Sequence, residues 1–325
     1  MVADADMIAD RRRLRRKLTL WRVFAFACLL LAIGTGGFIA ARGSGAFPGT
    51  AGAQIARISV TGFIAGDRRM TDLFKRVGES SSVSGVVISI SSPGGSTTGS
   101  EELFQGVRRL AEAKPTVAFV DGLAASGGYI TALAADRIVA RETALVGSIG
   151  VLFQYPDVSG LLDRVGVSVQ SVKSAPLKAE PSGFTPTSPE ARAALQSVVD
   201  DTFAWFKDLV RTRRGMSDAE VAAVSDGRVF SARQGLPLKL IDQLGTERDA
   251  IGWLEREKNV ARDLPVRDWK PRGSSDYPLW SSAAAVAEAF GFEQFAALVR
   301  SVAVTADAAK LDGLLSVWRP LSADR

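Results

Sequence analysis

A serine among small residues, in a chain that contains no histidine, limits the chemistry open to this sequence. Ser126 lies in the segment 123–129, which reads LAASGGY. Histidine is the usual base for a serine nucleophile, so a Ser-His-Asp triad is excluded, and a nucleophilic Ser126 would need a lysine held neutral by burial. The Ala-Ser-Gly-Gly run also fits a turn where a helix packs closely on a sheet, and this segment alone leaves both interpretations open.

Three further segments that could contribute to catalysis by Ser126 also follow predicted strands. Two are rich in small residues, 92–96 (SPGGS) and 147–150 (GSIG), and the third carries Lys173 and Lys178. A Gly-Gly pair lets backbone N–H groups approach a ligand and can form half of an oxyanion hole. Because loops at the carboxyl ends of parallel strands form the usual site of an open α/β sheet, we expect these segments to converge. A lysine in a loop is otherwise most often a solvated charge.

The elements that must position these residues alternate between strands and helices from residue 56 onward. The hydrophobic patterns predict strands at 57–64, 83–90, 116–120, 137–140 and 167–172, and helices at 67–77, 100–113, 126–135, 158–165, 188–214, 217–224, 232–240 and 249–258. Such alternation with short connections is typical of an α/β fold with a parallel sheet and right-handed crossovers.

The charge distribution and the cysteine count exclude several classes of function. The net charge is +5, and residues 1–42 carry all of it, with eight Arg or Lys against three Asp. The rest of the chain is therefore neutral and has no broad phosphate-binding surface, which argues against nucleic acid as a partner. With no histidine and the single Cys28, zinc and haem sites have almost no ligands, and only a cation site of carboxylates and carbonyls stays open; we predict no metal and no cofactor.

Composition divides the chain into five segments. These are a basic cytoplasmic segment (1–22), an uncharged apolar span (23–41), a Gly/Ala/Ser-rich linker (42–55), a body (56–272) and an apolar tail (273–325). The span would cover about 28 Å as a helix, enough for a transmembrane anchor, and the basic flank would place the body outside the cytoplasm. A cleaved signal peptide is the competing interpretation. The tail, predicted helical, fits either a packed cap or an element that lies on the membrane or on a neighbouring subunit.

The order of motifs over about residues 56–260 resembles the signal peptide peptidase A family. Those motifs are the SPGGS, ASGGY and GSIG segments, then KSAPLK (173–178), DGRVFSARQ (226–234) and IDQLG (241–245). The resemblance implies the Clp protease/crotonase fold of repeated β-β-α units, and membrane-anchored serine–lysine peptidases that degrade cleaved signal peptides. Many members have two tandem domains, whereas this chain has one. A single copy cannot present many sites, so the resemblance also implies that copies of the chain assemble into a closed ring.

The resemblance assigns a role to each candidate residue. Ser126 would be the nucleophile, Lys178 the general base, and Ser148 the group that orients the lysine. The N–H groups of Gly95 and Gly127 would form the oxyanion hole. Lys173 is the alternative base.

Localisation and alternative functions follow from the same features. The anchor predicts a single-pass protein of the inner (plasma) membrane with an extracytoplasmic catalytic domain acting on apolar peptides. One alternative is a crotonase-like lyase or isomerase of acyl-CoA, which would need a glutamate base. The other is a non-catalytic scaffold that binds peptides or membrane proteins.

Overall fold

The computed structural model of the protein describes residues 17, 21–24, 26, 52–271 and 315–317. Most of the predicted anchor, the predicted linker and the tail therefore lies outside the described residues. Among the described residues, no helix is long and apolar enough to cross a membrane. The described residues from Ala53 onward belong to one compact unit, and they contain the whole candidate site.

Strands and helices alternate along this unit. The strands are β1 Gln54–Ile64, β2 Val83–Ser96, β3 Thr116–Ala125, β4 Arg137–Ala140, β5 Leu145–Gly147, β6 Val229–Ser231, β7 Gln243–Leu244, β8 Val266–Trp269 and β9 Leu315–Val317. The helices are α1 Arg68–Glu79, α2 Thr97–Ala113, α3 Gly127–Leu133, α4 Ser159–Arg164, α5 Pro189–Arg214, α6 Asp218–Val224, α7 Ala232–Gly235 and α8 Glu247–Glu257.

The described strands form one mostly parallel sheet. Its main path runs β6-β5-β3-β2-β1-β8; β4 pairs with β3 and β7, and β9 pairs with β2. Only the β5–β6 and β2–β9 pairs are antiparallel among the described strands. The mixed α/β class and the parallel sheet predicted from the alternation of elements are therefore confirmed.

Helices pack on both faces of the central strands, which explains why these strands read as uninterrupted apolar runs. In β2, Val86 and Ile88 belong to a large core that includes side chains of α1, α2, α3 and α5. Val87, which points to the opposite face, belongs to a smaller core with Trp253 and Leu254 of α8. Burial on both faces holds β2 and β3 rigidly, and both strands end at the candidate site.

The structure corrects the predicted elements in four places. Residues 167–172 form no strand: all six are exposed, so β-branched residues there have no sheet to join. The helix predicted at 232–240 ends at Gly235: Leu236 still has helical backbone angles, but Pro237 has no N–H to continue the helical hydrogen bonding. Strands β2 and β3 extend to Ser96 and Ala125, so the SPGGS segment is strand and not loop. Residues 315–317 of the predicted helical tail are extended.

Candidate active site

Ser126 occupies the junction between β3 and α3 in a conformation that few non-glycine residues adopt. Its φ is 53°, and its side chain is buried, with 1% of the residue exposed. The Ser126 N–H donates a 2.8 Å hydrogen bond to the carbonyl of Gly147, and the Ser126 carbonyl accepts from the Ile130 N–H at 2.9 Å. These two bonds join the serine to the neighbouring strand and to the first turn of the helix. A strained serine at such a turn is a frequent feature of functional sites.

The end of β2 lies against the residue that follows Ser126. A Cβ added at Gly127 would lie 3.1 Å from the amide nitrogen of Gly95 and 2.1 Å from Oγ of Ser100. A Cβ at Gly95 would meet the Ile64 carbonyl oxygen at 1.8 Å, so neither position has room for a side chain. The two Gly-Gly pairs expected to converge therefore do so, and their closeness depends on the missing side chains.

Ser148 lies beside Ser126 because β5 pairs with β3 in parallel register. Ala125 is opposite Gly147, and Ser126 and Ser148 are the residues that directly follow this pair. Ser148 also has a positive φ, of 52°, and it is 7% exposed. Its N–H donates a 2.8 Å bond to the carbonyl of Arg228, directly before β6. The segment 226–234 thus helps to fix the position of Ser148.

The two candidate lysines lie in the segment between α4 and α5, most of which is exposed. The Lys173 ammonium pairs with the Glu180 carboxylate, and this hydrogen bond lowers the pKa of Glu180. The Lys178 side chain is exposed, and within the described part of the chain it has no hydrogen-bond or ion-pair partner. The structure thus brings together Ser126, Gly127, Gly95 and Ser148, while neither lysine is hydrogen-bonded to this group.

Two serines that the sequence reasoning did not select also build the site. Ser100, fully buried on α2, donates its hydroxyl to the Ser96 carbonyl at 2.8 Å and lies directly under Gly127. Ser92, also fully buried, bonds the Gly62 carbonyl at 2.7 Å and accepts from the Gly94 N–H at 3.1 Å. Their sequence contexts resemble ordinary helix and turn residues, so only their burial reveals the role.

Several known proteins and one family model are similar to this chain. The model of peptidase family S49 matches residues 108–261. A protein of Synechocystis sp. named as a protease is 36% identical over 201 residues, which cover 62% of this chain and 73% of that protein. A protein of Enterococcus faecium named as a signal peptide peptidase is 31% identical over 237 residues, covering 68% of each chain. The chloroplastic serine protease SPPA of Arabidopsis thaliana is 29% identical over 222 residues, covering 66% of this chain and 33% of that protein.

These relatives agree with the resemblance carried by the motifs around Ser126 and Ser148. The proteins of Synechocystis sp. and Enterococcus faecium are each more than 30% identical to this chain, and the match covers more than two thirds of the length of each of these two proteins. We conclude that the chain belongs to the signal peptide peptidase A family, which is peptidase family S49.

Proposed function

We propose that this protein is a membrane-anchored serine endopeptidase that hydrolyses apolar peptides, such as cleaved signal peptides, through an acyl-enzyme on Ser126. The observation that carries the proposal is the buried, positive-φ serine between two Gly-rich strand ends in a family S49 chain without histidine. The Clp protease/crotonase fold is part of this proposal, and the parallel sheet with helices on both faces is compatible with it.

The reaction would proceed in two steps. Ser126 Oγ attacks the scissile carbonyl carbon while its proton passes to the neutral amine of the base. The C–N bond then breaks, the leaving amine takes that proton, and water later hydrolyses the ester. The developing oxyanion would accept hydrogen bonds from the N–H groups of Gly127 and Gly95. The close approach of these two residues supports this assignment.

We propose Lys178 as the general base and Ser148 as the residue that orients it. Lys173 is the weaker candidate, because its side-chain nitrogen is already held by the Glu180 carboxylate and is not directed to Ser126. A lysine becomes a base when burial disfavours its charge. Lys178 is exposed in the single chain, so its activation requires a cover that the described residues do not provide.

A second copy of the chain is the cover that we propose. Helix α4 and the segment between α4 and α5 have several large apolar side chains in contact with water, among them Leu161, Val165, Val172 and Phe184, with exposures of 61%, 62%, 105% and 51%. Burying them against another protomer would be favourable, and it would exclude water from around Lys178 in the same step. We therefore propose a closed homo-oligomer whose formation completes the site.

The proposed location rests on the sequence of the first 42 residues. The basic run before the apolar span 23–41 would keep the N-terminus in the cytoplasm of an inner (plasma) membrane protein. The catalytic domain would then face the extracytoplasmic side, where signal peptides are released.

Active-site labelling tests the catalytic proposal. The full chain, in detergent, is treated with a fluorophosphonate and its intact mass is measured, alongside turnover of an apolar fluorogenic peptide. We expect one adduct on Ser126 and none on Ser126→Ala, with turnover lost by several orders of magnitude in that variant. Ser91→Ala, which changes an exposed serine of β2, is the matched control and should label normally. A folded chain with no adduct and no turnover would instead support the non-catalytic scaffold.

A further inference from the structure

The short helix α3 directly follows Ser126, and all seven of its residues are buried. Isolated helices shorter than about 12–15 residues are marginal, so contacts with the rest of the fold decide where α3 lies. Its N-terminal end supplies the Gly127 N–H proposed for the oxyanion hole. A Cβ at Gly128 would lie 2.7 Å from the Ser92 carbonyl oxygen, so the backbone of β2 blocks a closer approach of this end. Such packing does not oppose a movement that separates α3 from β2.

Two arginines from neighbouring helices bind the C-terminal end of α3. Arg213 of α5 donates from Nε to the Leu133 carbonyl at 2.7 Å and from Nη2 to the Ala135 carbonyl at 2.9 Å. Arg108 of α2 donates from Nη1 to the Ala134 carbonyl at 2.7 Å. All three carbonyls belong to buried residues, and the last carbonyls of a helix have no donor within the helix. The two guanidinium groups therefore supply the donors that this end of α3 needs.

The surroundings of Arg213 do not favour its charge. Within the described part of the chain it forms no ion pair, whereas the next residue, Arg214, pairs with Asp242. Burial, and then the charge of Arg108, lower the pKa of Arg213. The hydrogen bonds to α3 are the favourable contacts of this guanidinium, whose planar array of N–H donors can bind two carbonyls at once.

We propose that Arg213, assisted by Arg108, is a positioning residue for catalysis, because its hydrogen bonds fix α3 and thereby the Gly127 N–H at the oxyanion hole. The proposal rests on the function proposed above, since it names what positions one donor of that same site. A seven-residue helix is about 10 Å long, so Arg213 acts through α3 and not by contact with the peptide. An oxyanion donor works only over a narrow range of about 2.7–3.1 Å, so a small displacement weakens binding of the transition state more than binding of the peptide.

Four full-length variants test the proposal. Arg213→Met removes both bonds and keeps an apolar stem, whereas Arg213→Lys keeps the charge on a single nitrogen. Arg108→Met removes one of the three bonds and tests the same idea if Arg213→Met fails to fold. Arg57→Met is the matched control, because Arg57 also makes three hydrogen bonds, to Glu247 and Asp268, none of them to α3.

The kinetic comparison separates positioning from a general loss of stability. We expect Arg213→Met to lower kcat for an apolar peptide by about tenfold and Arg108→Met by about threefold, with KM within about twofold of the parent. The Ki of a peptide aldehyde, whose adduct on Ser126 resembles the oxyanion, should rise by the factor by which kcat falls. Arg57→Met should match the parent in both. An unchanged kcat in a folded Arg213→Met, or an equal fall in Arg57→Met, would overturn the proposal.

The lysine variant separates geometry from charge. We expect Arg213→Lys to stay at least about threefold below the parent in kcat, because one nitrogen cannot replace two bonds donated from separate nitrogens. Full recovery of kcat would show that a positive charge alone is needed, and it would overturn the assignment of a positioning role.

Hydrogen exchange measures the hold on α3 without any catalysis. In the Ser126→Ala background we expect the amides of residues 130–133 to exchange at least about tenfold faster with Arg213→Met than with Arg57→Met. Equal exchange would overturn the proposal, whether or not the chain proves to be a peptidase. Failure of the parent to label at Ser126 would instead reject the proposed function and leave the exchange result to decide whether Arg213 fixes α3.

Discussion

Replacing Gly127 by alanine tests the close approach on which the proposed oxyanion hole depends. The new Cβ would lie 2.1 Å from Ser100 Oγ, about 1.4 Å short of ordinary van der Waals contact. This steric clash can be relieved only if the backbone moves at Gly127 or if the Ser100 hydroxyl gives up its hydrogen bond to the Ser96 carbonyl. The first moves the N–H proposed to bind the oxyanion, and the second weakens the start of α2.

The expected magnitude follows from comparing opposing effects. Alanine is a better helix former than glycine by about 1 kcal/mol, which would stabilise α3. Overpacking in a rigid interior costs about 1–3 kcal/mol, and a lost hydrogen bond costs about 1 kcal/mol more. We therefore expect Gly127→Ala to lower the free energy of unfolding by about 2 kcal/mol. If the Gly127 N–H is displaced, kcat should fall by about 10²–10³-fold.

The assay is chemical denaturation of four full-length proteins that form a double-mutant cycle: the parent, Gly127→Ala, Ser100→Ala and the double variant. Ser100→Ala removes the Oγ that the new Cβ would meet and leaves the Ser100 Cβ 3.2 Å away, a contact that a small shift relieves. We expect the double variant to be at least about 1 kcal/mol more stable than additivity predicts.

Gly122→Ala is the matched control for this cycle. A Cβ there would meet only Ser91 Oγ, at 3.6 Å, so its stability should stay within about 0.5 kcal/mol of the parent. If Gly127→Ala were as stable as Gly122→Ala, or if the cycle were additive, Gly127 could not be packed against Ser100 as described, and the argument for the oxyanion hole would lose its basis.

Three further predictions concern the base, the pH dependence of stability and the assembly. Lys178→Ala should lower peptide turnover nearly as much as loss of the nucleophile, whereas Lys173→Ala should retain more activity; the reverse order would exchange their roles. Burial raises the pKa of Tyr129, so the stability gained by burying its neutral hydroxyl is complete below about pH 10 and is lost as the pH rises further. In urea denaturation, the free energy of unfolding of Tyr129→Phe should therefore fall less steeply above about pH 10 than that of the parent. Val172→Asp should reduce the oligomer mass seen by light scattering, while Val198→Asp, on the exposed face of α5, should not; equal masses would place the interface elsewhere.

Helix ends were the most predictable part of the fold because they depend on local chemistry. Ser188 caps α5 by accepting from the Ala191 N–H, Pro189 stands at its first position, and Gly215 ends it with a left-handed conformation. Each of these effects acts within a few residues, so the 26-residue helix could be located from the sequence. In α7, by contrast, Pro237 had a stronger effect than the apolar pattern, and the helix stopped early.

Strand prediction failed where pairing, and not composition, decides the outcome. Residues 167–172 have the β-branched composition of a buried strand, yet they lie exposed and unpaired within the described structure. Residues 92–96 contain proline and two glycines, yet they extend β2, because β1 and β9 pair with them. A strand depends on a neighbour that is distant in sequence, and no local pattern reports that neighbour.

By itself, the sequence determined the absence of a histidine base, the α/β class, the family motifs and the choice of Ser126 as the candidate nucleophile. Residue types and short spacings carry this information, since they decide which groups can transfer a proton and which segments can be helical. Only the tertiary structure decided that Ser126 and Ser148 are adjacent, that Gly95 and Gly127 touch, that Lys178 lies exposed and that segment 315–317 pairs with β2. Those relations arise from strand register and backbone packing between residues as many as 223 positions apart, and they form only when the sheet is assembled.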